Sequence, residues 1–299
     1  MPKHLIVVVG PTAVGKTALC VQLARHYHTE IISADSRQFY REMLIGTAKP
    51  TPEEQQGIRH HFVDSHSIAQ EYSAGMYEQD VLALLQQLFT RHDVVILTGG
   101  SGLYVQAVLE GMDDMPDAAP EVRQKLTALL AEQGLAPLLA QLQERDPAYF
   151  AQVDQANPQR VMRALEVCLS SGQPYSSFRK KEKQARPFQT IKIGLTRDRA
   201  ELYQRIDQRM DQMLAQGLLE EAKNLYPSRR HNALQTVGYK ELFDFLEGAY
   251  GWEEAVRLLK RNSRRYAKRQ LTWFNKDAGY TWFHPGQWEE IIQFIKAER

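Results

Sequence analysis

The feature that most constrains this chain is an eight-residue run near its start, Gly10-Pro11-Thr12-Ala13-Val14-Gly15-Lys16-Thr17. It fits G-x-x-x-x-G-K-[ST], the phosphate-loop pattern, at every fixed position. Leu5 to Val9 before it is an apolar run of the kind that forms a buried parallel strand. Ala18 to Tyr27 after it has Leu19, Leu23 and Tyr27 at helical spacing. A strand, a glycine turn and a helix place unpaired helix N–H groups and the positive dipole end beside the loop. The expected ligand therefore carries phosphate. Gly10 and Gly15 let the backbone wrap it, Lys16 supplies a charge, and the Thr17 hydroxyl is positioned to hold magnesium.

The strands that follow extend the pattern. Glu30 to Ser36 reads as a second strand that ends in Asp35. Ligands of open parallel sheets bind at the carboxyl ends of the strands, so Asp35 belongs in the same crevice, with a helix cap or turn as its alternative role. Ala74 to His92 carries a helical period. Asp93 to Leu97 is another buried strand, and it ends at Thr98-Gly99-Gly100-Ser101. A nucleotide hydrolase usually places a magnesium-holding Asp at this strand end. Here a tight glycine turn delivers Ser101 instead, either as a ligand-positioning hydroxyl or as the cap of the next helix.

Three strand–helix repeats over residues 1–111 predict an α/β chain with a doubly wound parallel sheet. Acids and prolines from Met112 to Pro120 then mark a linker, and residues 112–187 read as a mainly helical insertion. In it Asn157-Pro158 opens a helix that places Arg160 and Arg163 on one surface. Ser176 to Pro187 is basic, lacks an apolar period and reads as a mobile loop. Residues 188–299 return to the sheet through Thr190 to Leu195 and continue with helices. The helix Arg199 to Gln216 carries Arg205 and Arg209 at i, i+4, facing the phosphate or paired with its own Asp207 and Asp211. The last long helix, Trp252 to Phe274, holds a basic stripe: seven of the thirteen residues from Arg257 to Arg269 are Lys or Arg, with no acid among them. Arg257, Arg261, Arg264 and Lys268 share a face, and Tyr266, Trp273 and Phe274 interleave. Cations with aromatics suit RNA backbone contact and base stacking; a solvated face over core aromatics is the plainer alternative.

With a net charge of +1, this concentration of positive charge stands out from the rest of the chain. The two cysteines, Cys20 and Cys168, lie in apolar helical contexts and suggest buried thiols in a reducing cytoplasm. There is no C-x-x-C, and His60, His61 and His66 do not have the spacing of a helical metal pair. No stretch approaches membrane-spanning length, and no signal peptide is expected.

The ordered set of motifs resembles the bacterial tRNA dimethylallyltransferases. The matching segments are Gly10 to Thr17, Ser33-Ala34-Asp35-Ser36, Gly46-Thr47-Ala48-Lys49-Pro50, Tyr72-Ser73-Ala74, Gly99-Gly100 with Leu103-Tyr104, Pro158-Gln159-Arg160 through Glu166, Val237-Gly238-Tyr239, and Lys268 to Trp273. One departure is Ser101, where the family commonly has threonine; the hydroxyl is kept.

The resemblance implies a P-loop NTPase-like core and transfer of a dimethylallyl group from its diphosphate to N6 of the adenosine 3′ of the anticodon, position 37. Asp35 and Ser101 are then the catalytic pair. Gly10, Thr12, Ala13, Val14, Gly15, Lys16, Thr17 and Arg209 hold the diphosphate, with Mg2+ on Thr17. Asp35, Ser36, Arg37, Gln38, Ser101, Arg123, Gln159, Arg160, Val161, Met162, Arg163, Gly238, Lys240, Arg264, Lys268 and Arg269 meet the tRNA. A cytoplasmic monomer is expected. A nucleotide kinase, a prenyltransferase of free adenine nucleotides and a non-catalytic RNA-binding protein share parts of this pattern. The basic helix and the insertion disfavour the second, since a small acceptor needs neither.

Overall fold

The computed structural model describes residues 2–179 and 183–299. The chain forms two compact units, one of Met1–Gly111 with Ala185–Arg299 and the other of Met112–Gln184. The first is built on six strands: β1 (His4–Val9), β2 (Ile31–Ser33), β3 (His60–His61), β4 (Val94–Gly99), β5 (Gln189–Leu195) and β6 (Thr281–Phe283). Their order is β3-β2-β4-β1-β5-β6, and every pairing is parallel. The first unit contains α1 (Lys16–His26), α2 (Pro52–Gln55), α3 (Ala74–Leu88) and α4 (Gly102–Glu110) before the second unit begins. The second unit consists of α5 (Pro120–Gln133), α6 (Ala136–Arg145), α7 (Pro147–Phe150), α8 (Pro158–Ser171) and α9 (Tyr175–Phe178). The first unit resumes with β5 and then α10 (Arg199–Ala215), α11 (Leu218–Leu225), α12 (Tyr239–Leu246), α13 (Trp252–Phe274) and α14 (Trp288–Glu298).

β1 is apolar from Leu5 to Val9 because helices cover both faces of the sheet. Leu5, Val7 and Val9 join the core made with α3, α4, α11 and α12, which includes Tyr77, Val81, Val105, Leu218 and Leu242. Ile6 and Val8 point the other way, into a core with Leu19 and Leu23 of α1, Leu202 and Ile206 of α10, and Ile291 and Ile295 of α14. This is the doubly wound α/β architecture expected from the sequence. The edge strands β3 and β6 were not foreseen, being two and three residues long. The second unit has its own core, including Leu126, Leu138, Leu142, Val161 and Leu165. Of the basic stretch expected to be a mobile loop, Ser176 to Phe178 belong to α9, while Lys180, Lys181 and Glu182 lie outside the described residues.

Register sets the site. Val9 of β1 is level with Gly99 of β4 on one side and with Gly194 of β5 on the other. The phosphate loop and the Gly99-Gly100 turn therefore leave the sheet side by side.

Candidate active site

The loop between β1 and α1 is wound as the glycines require. Gly10 has φ 151° and Gly15, at the N-cap of α1, has φ 112°. A side chain at Gly10 would also stand 2.7 Å from the Leu195 carbonyl oxygen. Ala13, with φ 63°, adopts the left-handed region without being glycine, a conformation held by its surroundings. Those surroundings come largely from α10 and the residues just before it. Arg197 donates from Nε to the Val14 carbonyl at 2.7 Å, and Arg205 from Nε to the Ala13 carbonyl at 2.8 Å. Arg209 reaches Thr12 Oγ1 at 3.4 Å and the Ala48 carbonyl at 3.2 Å. Both arginines of the i, i+4 pair thus touch the loop, Arg205 from its exposed side and Arg209 from within.

Lys16 donates to the carbonyls of Gly10 at 3.0 Å and Pro11 at 2.9 Å. An ammonium has three donors, so one remains for an anion. Burial lowers its pKa from 10.5 to about 8; the nearby Asp35 carboxylate opposes that shift and the Arg209 charge adds to it. Burial also lowers Arg209, with Glu54 and Asp35 acting against it. Lys16 and Arg209 therefore both feel the charge of Asp35, and the ends of β1 and β2 open on one crevice.

Asp35 accepts a hydrogen bond from Arg37 N at 3.1 Å, which orients its carboxylate across the turn after β2. Ser101 occupies the N-cap position of α4, but its side chain does not cap the helix. Its oxygen accepts from Ser36 N at 2.9 Å and its hydroxyl lies 3.1 Å from the Ser36 hydroxyl. The two turns are thereby tied together. Gly99 and Gly100 serve this by absence of bulk rather than by unusual φ. A methyl on Gly99 would stand 2.2 Å from the Ala34 carbonyl oxygen, and one on Gly100 2.1 Å from Gln270 Nε2.

Gln270 is the residue that motif reading left without a role. It is 5 % exposed on α13. Its Oε1 accepts from Thr12 N at 2.9 Å and its Nε2 donates to the Gly100 carbonyl at 3.0 Å. Thr12 therefore turns its backbone N–H away from any loop-bound anion. One turn earlier, Tyr266 faces the Ser101 hydroxyl and the Asp35 charge; burial first, then Asp35, holds its phenol above the usual range. Glu221 was also missed. Its carboxylate accepts from the backbone N–H groups of Leu44, Ile45 and Gly46 at 3.0, 2.7 and 3.0 Å and from the Tyr239 hydroxyl. This clamp joins Gly46-Thr47-Ala48 to Val237-Gly238-Tyr239, and a carboxylate far away in sequence gave no signal of it.

The residues assigned to RNA by resemblance are placed variously. Gln38 bridges Ser33 Oγ and the carbonyls of Thr47 and Ala48, and Arg37 donates to the Asn232 carbonyl. Gly238 is buried at the start of α12, its N–H on Glu241, with Lys240 exposed beside it. On α13, charges of the stripe are opposed by two acids of α10 and by one in the first turn of α13 itself. Arg264 binds both oxygens of Asp207, Lys260 binds Asp211 and Arg257 binds Glu254. Asp207 and Asp211 thus pair with α13 rather than with Arg205 and Arg209. Lys268 and Arg269 are exposed, Arg269 lying 5.8 Å from the Tyr266 ring centroid.

In the second unit, Asn157 caps α8 by accepting from Arg160 N, and Gln159 and Arg160 are exposed. The side chains of Val161 and Met162 turn into that unit's core, so the outward side chains of this stretch are those of Gln159, Arg160 and Arg163. The carboxylate of Glu166, 3 % exposed, lies 3.5 Å from Arg123 and 3.6 Å from Arg163.

Fold and site together define the class: a phosphate-loop protein on a parallel α/β core, its loop beside a carboxylate and a hydroxyl. A family model described as IPP transferase matches residues 38–277. A tRNA dimethylallyltransferase of Cytophaga hutchinsonii is 57 % identical over 99 % of this chain and 97 % of its own length. One from Phocaeicola vulgatus is 50 % identical over 99 % of both chains. The crystal structure of a tRNA isopentenylpyrophosphate transferase from Bacillus halodurans superposes with a TM-score of 0.73 at 40 % identity, covering 99 % of this chain and 96 % of that one. The chain belongs to the IPP transferase family.

Proposed function

We propose that this chain is a tRNA dimethylallyltransferase. It transfers the dimethylallyl group of dimethylallyl diphosphate to N6 of adenosine 37, beside the anticodon, and releases diphosphate. The observation that carries this reading is the crevice at the strand ends, where the phosphate loop held by Lys16 and Arg209 lies beside the Asp35 turn that Ser101 ties down. Where a phosphate-loop hydrolase would present an acid, the end of β4 carries Thr98, whose hydroxyl donates to the Val8 carbonyl, and then Gly99.

An adenine N6 amine is a poor nucleophile because its lone pair is delocalised into the ring. Asp35 accepts one of its N–H bonds and takes the proton as the C–N bond forms. Ser101 aligns the amine or the departing oxygen. The bond from C1 of the dimethylallyl group to oxygen breaks, and negative charge grows on diphosphate where Lys16, Arg209 and the loop amides stabilise it. Thr17, half-buried in the first turn of α1, offers one hydroxyl, and no cluster of three metal-binding side chains exists among the described residues. That donor set fits magnesium carried mostly by the phosphates and water; when bound, it adds charge neutralisation. The target base must leave its stack, which is cheap in a single-stranded loop. No helix among the described residues is long and apolar enough to cross a membrane, and work on tRNA suits the cytoplasm.

The test is nucleoside mass spectrometry of tRNA incubated with the protein and labelled dimethylallyl diphosphate. N6-dimethylallyladenosine at position 37 is expected. Label passing from ATP to product instead would make the protein a kinase and remove the proposal.

A further inference from the structure

We propose that Gln270 is a positioning residue that holds the diphosphate loop and the Ser101 turn in one register. A single side-chain amide accepts from Thr12 N and donates to the Gly100 carbonyl. On that reading Thr12 belongs to the loop that holds the donor's phosphates, and Gly100 precedes Ser101, whose hydroxyl aligns the amine or the departing oxygen. The amide is buried, so each bond lost leaves a backbone group short of a partner beside it. Gly100 is shaped for it, because a methyl there would overlap Nε2 at 2.1 Å. Tyr266 and Trp273, also of α13, lie against Ser101 and Gly102. The two residues just before Gln270, Lys268 and Arg269, are exposed. The same helix therefore offers cations to an RNA backbone outside and fixes the donor loop inside.

The inference rests on the reading of the loop as the diphosphate site, and the experiment separates the two. The probe is inorganic pyrophosphate with magnesium, titrated into the full-length protein. Gln270→Leu is expected to weaken its binding by about 10- to 100-fold, the loss of two buried hydrogen bonds. It should also lower kcat at saturating donor, while tRNA affinity stays within about threefold. Gln270→Glu supplies the readout that a merely structural role would not move. As a carboxylate it keeps the acceptor and loses the donor; as a carboxylic acid it regains both. Burial raises a carboxyl pKa, so its deficit relative to the unmodified protein at the same pH is expected to be large near pH 8 and to shrink to about threefold near pH 5.5.

Gly100→Ala, which displaces the amide without touching Gln270, should reproduce the Gln270→Leu loss and add little to it in the double variant. It also serves if Gln270→Leu fails to fold. Equal pyrophosphate binding by the unmodified protein and Gln270→Leu, or a Gln270→Glu deficit that does not change with pH, would overturn the inference. Failure of the unmodified protein to bind pyrophosphate would overturn the functional reading itself, and this one with it.

Discussion

Lys16 has a pKa held near 8 because burial disfavours its charge more than Asp35 favours it. A bound diphosphate reverses that balance by placing negative charge against the ammonium. Below about pH 8 the lysine is already charged and donor affinity should be level. Above it the free protein loses the proton, and affinity should fall by up to about tenfold per pH unit as binding has to restore it. Measured pyrophosphate affinity from pH 6.5 to 9.5 should therefore bend near 8, and the bend should vanish in Lys16→Arg, whose guanidinium does not titrate there. A profile that stays flat to pH 9.5 would separate Lys16 from donor binding. Asp35 poses a different demand, since it acts on the acceptor. Asp35→Ala should leave tRNA affinity within a few-fold and lower the transfer rate by about 10²- to 10⁴-fold, the range for a lost general base. Unchanged turnover in a single-turnover assay would exclude it from the chemistry.

At the scale of elements, α13 shows what a sequence can and cannot display. Its span, Trp252–Phe274, follows from apolar period and a glycine before it, and β1, β4 and β5 follow from apolar runs. Both kinds of signal are local. β3 and β6 are too short to carry a period, and their pairing is set by neighbours distant in the chain. The acids that answer the basic stripe are equally distant: Asp207 and Asp211 lie about three turns deep in α10. Nor does a glutamine in a run of arginines announce that it is buried under a phosphate loop. The catalytic candidates were legible because strand ends are predictable places; their supports, Gln270, Glu221 and Tyr266, were not. The pairing has a consequence for RNA binding. A cation already bound to a carboxylate releases less counterion on meeting a phosphate. Lys268→Ala or Arg269→Ala should flatten the dependence of log affinity for tRNA on log salt by about one unit each, whereas Arg257→Ala, paired with Glu254, should change it little. Equal changes from all three would mean that the ion pairs open when RNA binds.

Across the molecule, the proposed parts of the task divide between the two units. The phosphate loop, Asp35, Ser101 and Gln270 all belong to the unit built on the sheet, while Arg123, Arg160 and Arg163 belong to the helical unit. Glu166 organises that second group. It is nearly buried on α8, and its two oxygens lie 3.5 Å from Arg123 and 3.6 Å from Arg163, both of which are substantially exposed at 49 % and 43 %. A flexible arginine loses side-chain freedom when it grips a phosphate, at roughly 0.5–1.5 kcal/mol each, and a carboxylate that holds it beforehand removes part of that cost. Glu166→Gln keeps the shape and discards the charge. It should weaken tRNA binding by about 2- to 10-fold, part of the cost of ordering two such side chains, and more at high salt, where the gain from removing a negative charge is screened. On the proposed reading pyrophosphate binds in the other unit, so its affinity should not change, and kcat at saturating tRNA should stay near that of the unmodified protein. Titrating both ligands against the same variant decides the matter. Parallel losses in both would mean that Glu166 supports the fold as a whole, and a melting curve with a matching drop would show it. A loss confined to tRNA would make the helical unit an RNA grip whose strength can be altered without touching the chemistry.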